Sequence, residues 1–232
     1  MIIFNKALII GLGLIGGSMA IAIKKRGLVQ SLLAADTSRE ALEVAREKNI
    51  IDGTVELPAG VSDVNLIILA TPVLDAGEIL EQISPHLSPG TIITDVSSTK
   101  EQIVKLASSI LPGNVCFIGG HPMTGSERNG FTSAKGELFE NANYILTPER
   151  KTRYVSVVKL KMLLKAIGAT PLEMSPNEHD KLISVVSHLP HLIATALVNT
   201  LAASSESDRL INLVAGGFRD TTRIASSDSR LW

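Results

Sequence analysis

The chain has 232 residues, 45% of them hydrophobic and 19% charged, with a formal net charge of −1. That length supports one large domain or two modest ones with a real core, and the near balance of charge argues against a nucleic-acid coat or a polybasic membrane anchor. The single cysteine, Cys116, rules out an internal disulfide and a cysteine-based metal site, and fits a cytoplasmic setting.

Residues 7–23, ALIIGLGLIGGSMAIAI, carry no charge. The run is shorter than the roughly 20 residues of a membrane span, and its basic residues follow it rather than precede it, against the order of a signal peptide. Gly11, Gly13, Gly16 and Gly17 also disfavour one continuous helix. The segment divides instead into a strand, KALIIG, and a helix from about Leu14 to Arg26, whose basic residues complement the C-terminal end of the dipole. Between them, Gly11-Leu12-Gly13-Leu14-Ile15-Gly16 has the G-x-G-x-x-G spacing. The first glycine permits a tight turn, the second lets backbone approach a pyrophosphate, and the third lets helix and strand pack closely. The first helical N–H groups, from Leu14 and Ile15 on, then face the phosphates.

A second strand, SLLAAD, ends in Asp36, twenty residues after Gly16. An acidic side chain there binds both ribose hydroxyls and repels a 2′-phosphate, which favours NAD over NADP. Arg39 is near enough to soften that preference.

Strands and helices go on alternating. VNLIILATP (64–72) is a strand ending at Thr71-Pro72, and a helix of about 75–86 follows with Ile79, Leu80 and Ile83 at helical spacing. GTIITDVSS (90–98) is a strand, 99–111 a helix, and NVCFIGGHP (114–122) and NYILTP (143–148) are further strands. This order predicts an α/β fold, a Rossmann-type doubly wound parallel sheet, in which ligands bind outside the C-terminal strand ends. Those ends are Gly11–Gly16, Asp36, Ala70–Pro72, Asp95–Lys100 and Gly119–Glu127. They gather around one crevice, so Thr71, Pro72 and His121 lie near a bound dinucleotide. The two glycines before His121 are expected to let backbone pass close to the nicotinamide.

After residue 150 the texture is helical. KTRYVSVVKLKMLLKAIGA is an amphipathic helix, TPLEMSP a short extended piece, and 176–204 a helical run interrupted by Pro190. The predicted organisation is a dinucleotide-binding domain over 1–171 and an all-helical domain over 172–232. His188 and His191 share one helical face, but no third metal ligand is evident, and no metal is expected.

Four motifs follow the glycine loop in order: GGHPMTGSERNGF, LFENANYILTP, SHLPHLIATAL and GGFRDTTRIASSDSRLW. Together they resemble the prephenate dehydrogenase family, which includes arogenate and cyclohexadienyl dehydrogenases, and the resemblance runs to the last residue. It implies NAD-dependent oxidative decarboxylation of prephenate to 4-hydroxyphenylpyruvate in tyrosine biosynthesis. Hydride leaves the carbon bearing the ring hydroxyl, the hydroxyl loses its proton, and carbon dioxide departs as the ring becomes aromatic. Arogenate, which yields tyrosine directly, stays open as the substrate. A dinucleotide sensor without catalysis is the alternative from another class.

The resemblance also implies roles. His121 hydrogen-bonds the ring hydroxyl and assists hydride transfer. Ser98 lies near the same hydroxyl and the nicotinamide; on the residues alone it can instead cap the 99–111 helix. Glu127 matches an acid at the pocket mouth, His191 a pocket residue, and Trp232 a tryptophan near the substrate. Arg223 matches the arginine that binds the ring carboxylate, a group that a guanidinium grips through two parallel hydrogen bonds. Family members continue past this tryptophan with helices that build a dimer. The helical domain therefore reads as truncated, with a homodimer expected if it is complete.

Overall fold

Ala7–Ile10 and Leu66–Leu69 are uninterrupted apolar runs, and in the computed structural model, which describes residues 1–125 and 129–227, both are fully buried central strands. Runs of this kind belong to a sheet covered on both faces. The described residues form two compact units, the first Met1–His179 and the second beginning at Asp180.

The first unit is built on an eight-stranded sheet. In chain order its strands are β1 (Phe4–Ile10), β2 (Val29–Ala35), β3 (Gly53–Thr54), β4 (Leu66–Leu69), β5 (Ile92–Asp95), β6 (Cys116–Pro122), β7 (Asn143–Thr147) and β8 (Thr170–Glu173). They lie side by side as β3-β2-β1-β4-β5-β6-β7-β8. Helices α1 (Leu14–Arg26), α2 (Arg39–Glu47), α3 (Val73–Ile83), α4 (Glu101–Ile110) and α5 (Tyr154–Ala166) connect them. The side-chain period of two splits each central strand between two cores. Ala7, Ile9, Leu66 and Ile68 pack with α1 and α5, whereas Leu8, Ile10, Ile67 and Leu69 pack with α3 and α4.

The winding reverses beside β1. The chain first adds β2 and β3 on one side, then returns to add β4, β5 and β6 on the other. Such a switch point opens a crevice beyond the C-terminal ends of β1 and β4. The doubly wound parallel sheet expected from the sequence is present, with one departure: β7 runs antiparallel to β6, with His121 opposite Ile145. Among the described residues the connection holds only a 3₁₀ turn, Phe131–Ser133, rather than the crossover helix that a parallel return requires. Helix α5 restores the parallel direction for β8, an edge strand that tolerates Pro171.

Helix α6 (Pro176–Ile183) starts in the first unit. The second unit continues with a π-helical turn, Ser184–His188, then α7 (Leu189–Ala202), α8 (Ser207–Asn212), α9 (Gly216–Thr222) and a 3₁₀ turn, Arg223–Ser226. Pro190 falls in the first turn of α7, where a missing N–H costs nothing. The π turn before it gives the helix a fresh start, so the run from 176 to 202 stays helical.

Candidate functional site

The glycine loop sits at the switch point. Gly11 has φ of +96°, and a Cβ there would stand 2.6 Å from the Ala70 carbonyl oxygen. At Gly16 a Cβ would meet the Gly11 carbonyl oxygen at 1.9 Å, so α1 packs directly on the loop. Gly13 is different: nothing lies within 4 Å of its Cβ position. It is the N-cap of α1 and makes no side-chain cap bond, which leaves the first N–H groups of the helix, from Leu14 and Ile15 on, directed at an anion's position.

Asp36, at the end of β2, braces this loop. One carboxylate oxygen accepts the Leu12 N–H at 2.5 Å and the other accepts the Ser38 N–H at 2.7 Å. A cleft of about 1030 Å³ runs past Gly11, Gly13, Asp36, Arg39, Thr71 and Pro72. The Thr71 hydroxyl in its wall is buried and has no hydrogen-bond partner among the described residues. Open space at Gly13, a helix N-terminus, an acid at the ribose position and an orphaned hydroxyl together fit a dinucleotide.

His121 lies near the C-terminal end of β6 and is buried. Its Nδ1 is 2.8 Å from Nε2 of His179 on α6, with the two rings edge to face. His179 is fully buried, and nothing in the sequence links it to His121, 58 residues away. The strand under His121 is pinned by a buried ion pair. The Gly120 N–H donates to Asp95 Oδ1 at 3.0 Å, while Asp95 Oδ2 accepts from the Ser97 N–H and from the Lys100 ammonium. Both members of the Asp95–Lys100 pair have 0% exposed side chains. Nearby, burial and the Asp95 charge raise the Tyr144 phenol well above its usual pKa, so it stays neutral.

Two expectations change here. The glycines before His121 serve internal packing instead of opening space for a nicotinamide. A Cβ on Gly119 would stand 2.3 Å from Thr147 Oγ1, and one on Gly120 2.5 Å from the Asp95 carbonyl oxygen. Ser98 does not cap a helix, because α4 begins at Glu101 with Lys100 as its N-cap and no side-chain cap bond. Ser98 sits half-buried just past β5, on the same sheet edge as His121.

The other predicted residues fall elsewhere. Glu127 and Trp232 lie outside the described residues. His191 and Arg223 belong to the second unit. His191 is buried, and burial, with the neighbouring His188, lowers its pKa and favours the neutral ring. Arg223 opens the last 3₁₀ turn and is exposed. Among the described residues no cluster of three metal-ligating side chains forms around His188 and His191.

Fold and cleft define a dinucleotide-binding α/β protein with a buried histidine on the cofactor edge of its sheet. Residues 19–172 match the family model described as "Prephenate dehydrogenase, nucleotide-binding domain", and residues 175–232 match "Prephenate dehydrogenase, dimerization domain". The chain belongs to the prephenate dehydrogenase family. It is 44% identical to the prephenate dehydrogenase of Bacillus subtilis (strain 168) over 97% of its own length. It is 33% identical to the cyclohexadienyl dehydrogenase of Zymomonas mobilis over 100% of its length and 80% of that relative. Among solved structures it resembles the Aquifex aeolicus prephenate dehydrogenase in complex with hydroxyphenyl propionate and NAD+. The TM-score is 0.91 at 36% identity, covering 98% of this chain and 80% of that one. Synechocystis arogenate dehydrogenase gives a TM-score of 0.82 at 34% identity, covering 97% of this chain and 81% of that one. The chain spans 62% and 63% of the length of the curated prephenate dehydrogenases from Bacillus subtilis and Lactococcus lactis that it matches.

Proposed function

We propose that this chain carries the catalytic machinery of an NAD-dependent prephenate dehydrogenase, acting in tyrosine biosynthesis in the cytoplasm. The observation that carries this reading is a buried histidine on the dinucleotide edge of the sheet in a member of this family. The sequence boundary stays part of the proposal, with nucleotide binding upstream of 171/172 and substrate and dimer contacts downstream.

When bound, NAD would supply the hydride acceptor for the ring carbon that bears the hydroxyl. Gly11, Gly13, Gly16 and the N–H groups of Leu14 and Ile15 hold the pyrophosphate, Asp36 binds the ribose, and Thr71 and Pro72 line the path toward the sheet edge. His121 accepts the hydroxyl proton as hydride leaves, a role suited to an imidazole with an ordinary pKa of about 6.5. Ser98 hydrogen-bonds the same hydroxyl. Arg223 is assigned to the ring carboxylate, and Glu127, His191 and Trp232 to further contacts with the substrate. A second reading takes arogenate as substrate, and the likeness to Synechocystis arogenate dehydrogenase favours it.

The functional molecule is a homodimer. The helical run 176–202 is long and apolar enough to cross a membrane by length and composition, and 17% of an apolar 18-residue stretch within it is buried. Its exposed Val185, Val186, Leu192 and Ile193 lie in the stretch that matches the family's dimerization domain, and a second copy is the occupant proposed for them.

The test supplies the purified chain with NAD and prephenate, and in parallel arogenate, and follows NADH and carbon dioxide. Equal amounts of both products are expected. A folded, NAD-binding protein that makes NADH with neither substrate overturns the reading. His121→Asn should lower kcat by about 10²- to 10⁴-fold, the usual contribution of a positioned acid–base group, with NAD affinity unchanged. Parallel loss of turnover and NAD binding would assign His121 to the framework.

A further inference from the structure

We propose that His179 is a positioning residue for His121, fixing which nitrogen of that imidazole carries the proton and stabilising the ring once it is charged. This rests on His121 being the proton acceptor. The 2.8 Å separation of His121 Nδ1 and His179 Nε2 is a hydrogen-bond distance. Two bare nitrogens repel at that distance, as do two protonated ones, so a single proton sits between them. Its position decides the chemistry. With the proton on His121 Nδ1, that nitrogen donates to His179 and Nε2 of His121 keeps its lone pair for the substrate hydroxyl. With the proton on His179, a neutral His121 carries its own on Nε2 and can only donate.

The mounting of the two rings holds this contact in register. His121 stands next to Gly120, whose N–H is fastened to the buried Asp95. His179 is in the first turns of α6, where its N–H donates to the Ser175 carbonyl at 2.9 Å and the Ser175 hydroxyl accepts the Glu178 N–H at 3.2 Å. The Asn177 amide donates to Glu101 at 3.2 Å, tying α6 to the start of α4. His179 is 0% and His121 9% exposed, so water competes little for the bond. When His121 takes up a proton, its Nδ1–H bond to His179 becomes charge-assisted and stronger. A neutral imidazole suits a site for a substrate with two carboxylates better than an aspartate, whose standing negative charge would oppose binding.

Nitrogen-15 NMR of the full chain reads the tautomer directly, with the His121 signals assigned by their loss in His121→Asn. The wild type should show His121 protonated on Nδ1 and bare on Nε2. His179→Phe, which removes the acceptor, should shift His121 toward the Nε2–H form, and His179→Gln, whose amide oxygen can accept the same proton, should restore the wild-type pattern. In turnover, His179→Phe should lower kcat by about 10- to 100-fold, at or below the roughly 10²- to 10⁴-fold contribution of the acid–base group it positions, with KM for prephenate changed less than about threefold. His179→Gln should recover most of that loss. An Nε2–H tautomer in the wild type, or a His179→Phe protein with the wild-type tautomer, overturns the proposal. If His179→Phe does not fold, the wild-type tautomer and the His179→Gln spectrum decide. The spectra need no substrate, so a wild type inactive on both substrates overturns the parent reading without touching the tautomer result.

Discussion

Gly11 and Gly13 stand two residues apart in one loop, yet a methyl group would mean different things at each. At Gly11 it would meet the Ala70 carbonyl with the backbone at positive φ, so Gly11→Ala should cost about 1–3 kcal/mol of stability. At Gly13 the methyl would enter open space on an extended backbone, so Gly13→Ala should fold within about 0.5 kcal/mol of wild type. It should still weaken NAD binding tenfold or more, because the space it fills is the one proposed for the pyrophosphate. Thermal denaturation and calorimetric titration separate the two effects, and undiminished NAD affinity in Gly13→Ala would remove the loop from cofactor binding. The turn at Gly11 was legible in the sequence because a tight turn is a local steric demand that spacing records. His179 was not, since its partner is brought to it by the packing of a helix against a distant strand. Gly119 and Gly120 announce that no side chain fits, but not which neighbours forbid it. Those neighbours, Thr147 and the Asp95 backbone, come from β7 and β5.

The ends of elements carry more of the site than their middles. Lys100 reads in sequence as part of the helix after β5, but the helix begins one residue later and the lysine side chain turns inward onto Asp95. Two charges buried this fully depend on each other and on hydrogen bonds, among them those from Ser97 and Gly120 to Asp95. Lys100→Met leaves the carboxylate alone, and should cost about 3–5 kcal/mol in denaturant unfolding. Adding Asp95→Asn should recover part of this by removing the stranded charge. A loss below about 1 kcal/mol in the single variant would mean the pair contributes little beyond an ordinary substitution. The direction of β7 lay beyond sequence reading for a related reason. Strand direction is decided by what the connection can span, and among the described residues the connection here holds one 3₁₀ turn and no helix. Alternation of apolar segments located the strands, but several were read too long, because residues such as Val64 and Val96 are apolar and lie outside them.

For the whole molecule, the decisive property is the apolar surface of the second unit. Leu192 and Val186 are each 66% exposed, which is costly for side chains of this kind unless another surface covers them. Leu192→Glu with Val186→Glu should leave folding intact and convert the proposed dimer to monomer in sedimentation experiments. An unchanged mass, or a monomeric wild type, would place the dimer contact elsewhere or remove it. The sequence showed a long apolar helix and, by resemblance, a dimer; how much of each side chain is uncovered emerges only once the helices pack. A different consequence follows from the Gly120 N–H held by Asp95. That amide proton can trade with solvent deuterium only after the carboxylate lets go, and the carboxylate is fastened at once to α4's approach and to the end of β5. Its exchange should therefore be among the slowest in the chain and track the opening of the first unit as a body. The residue beside His121 would then serve as a clock for the lifetime of the fold that supports it.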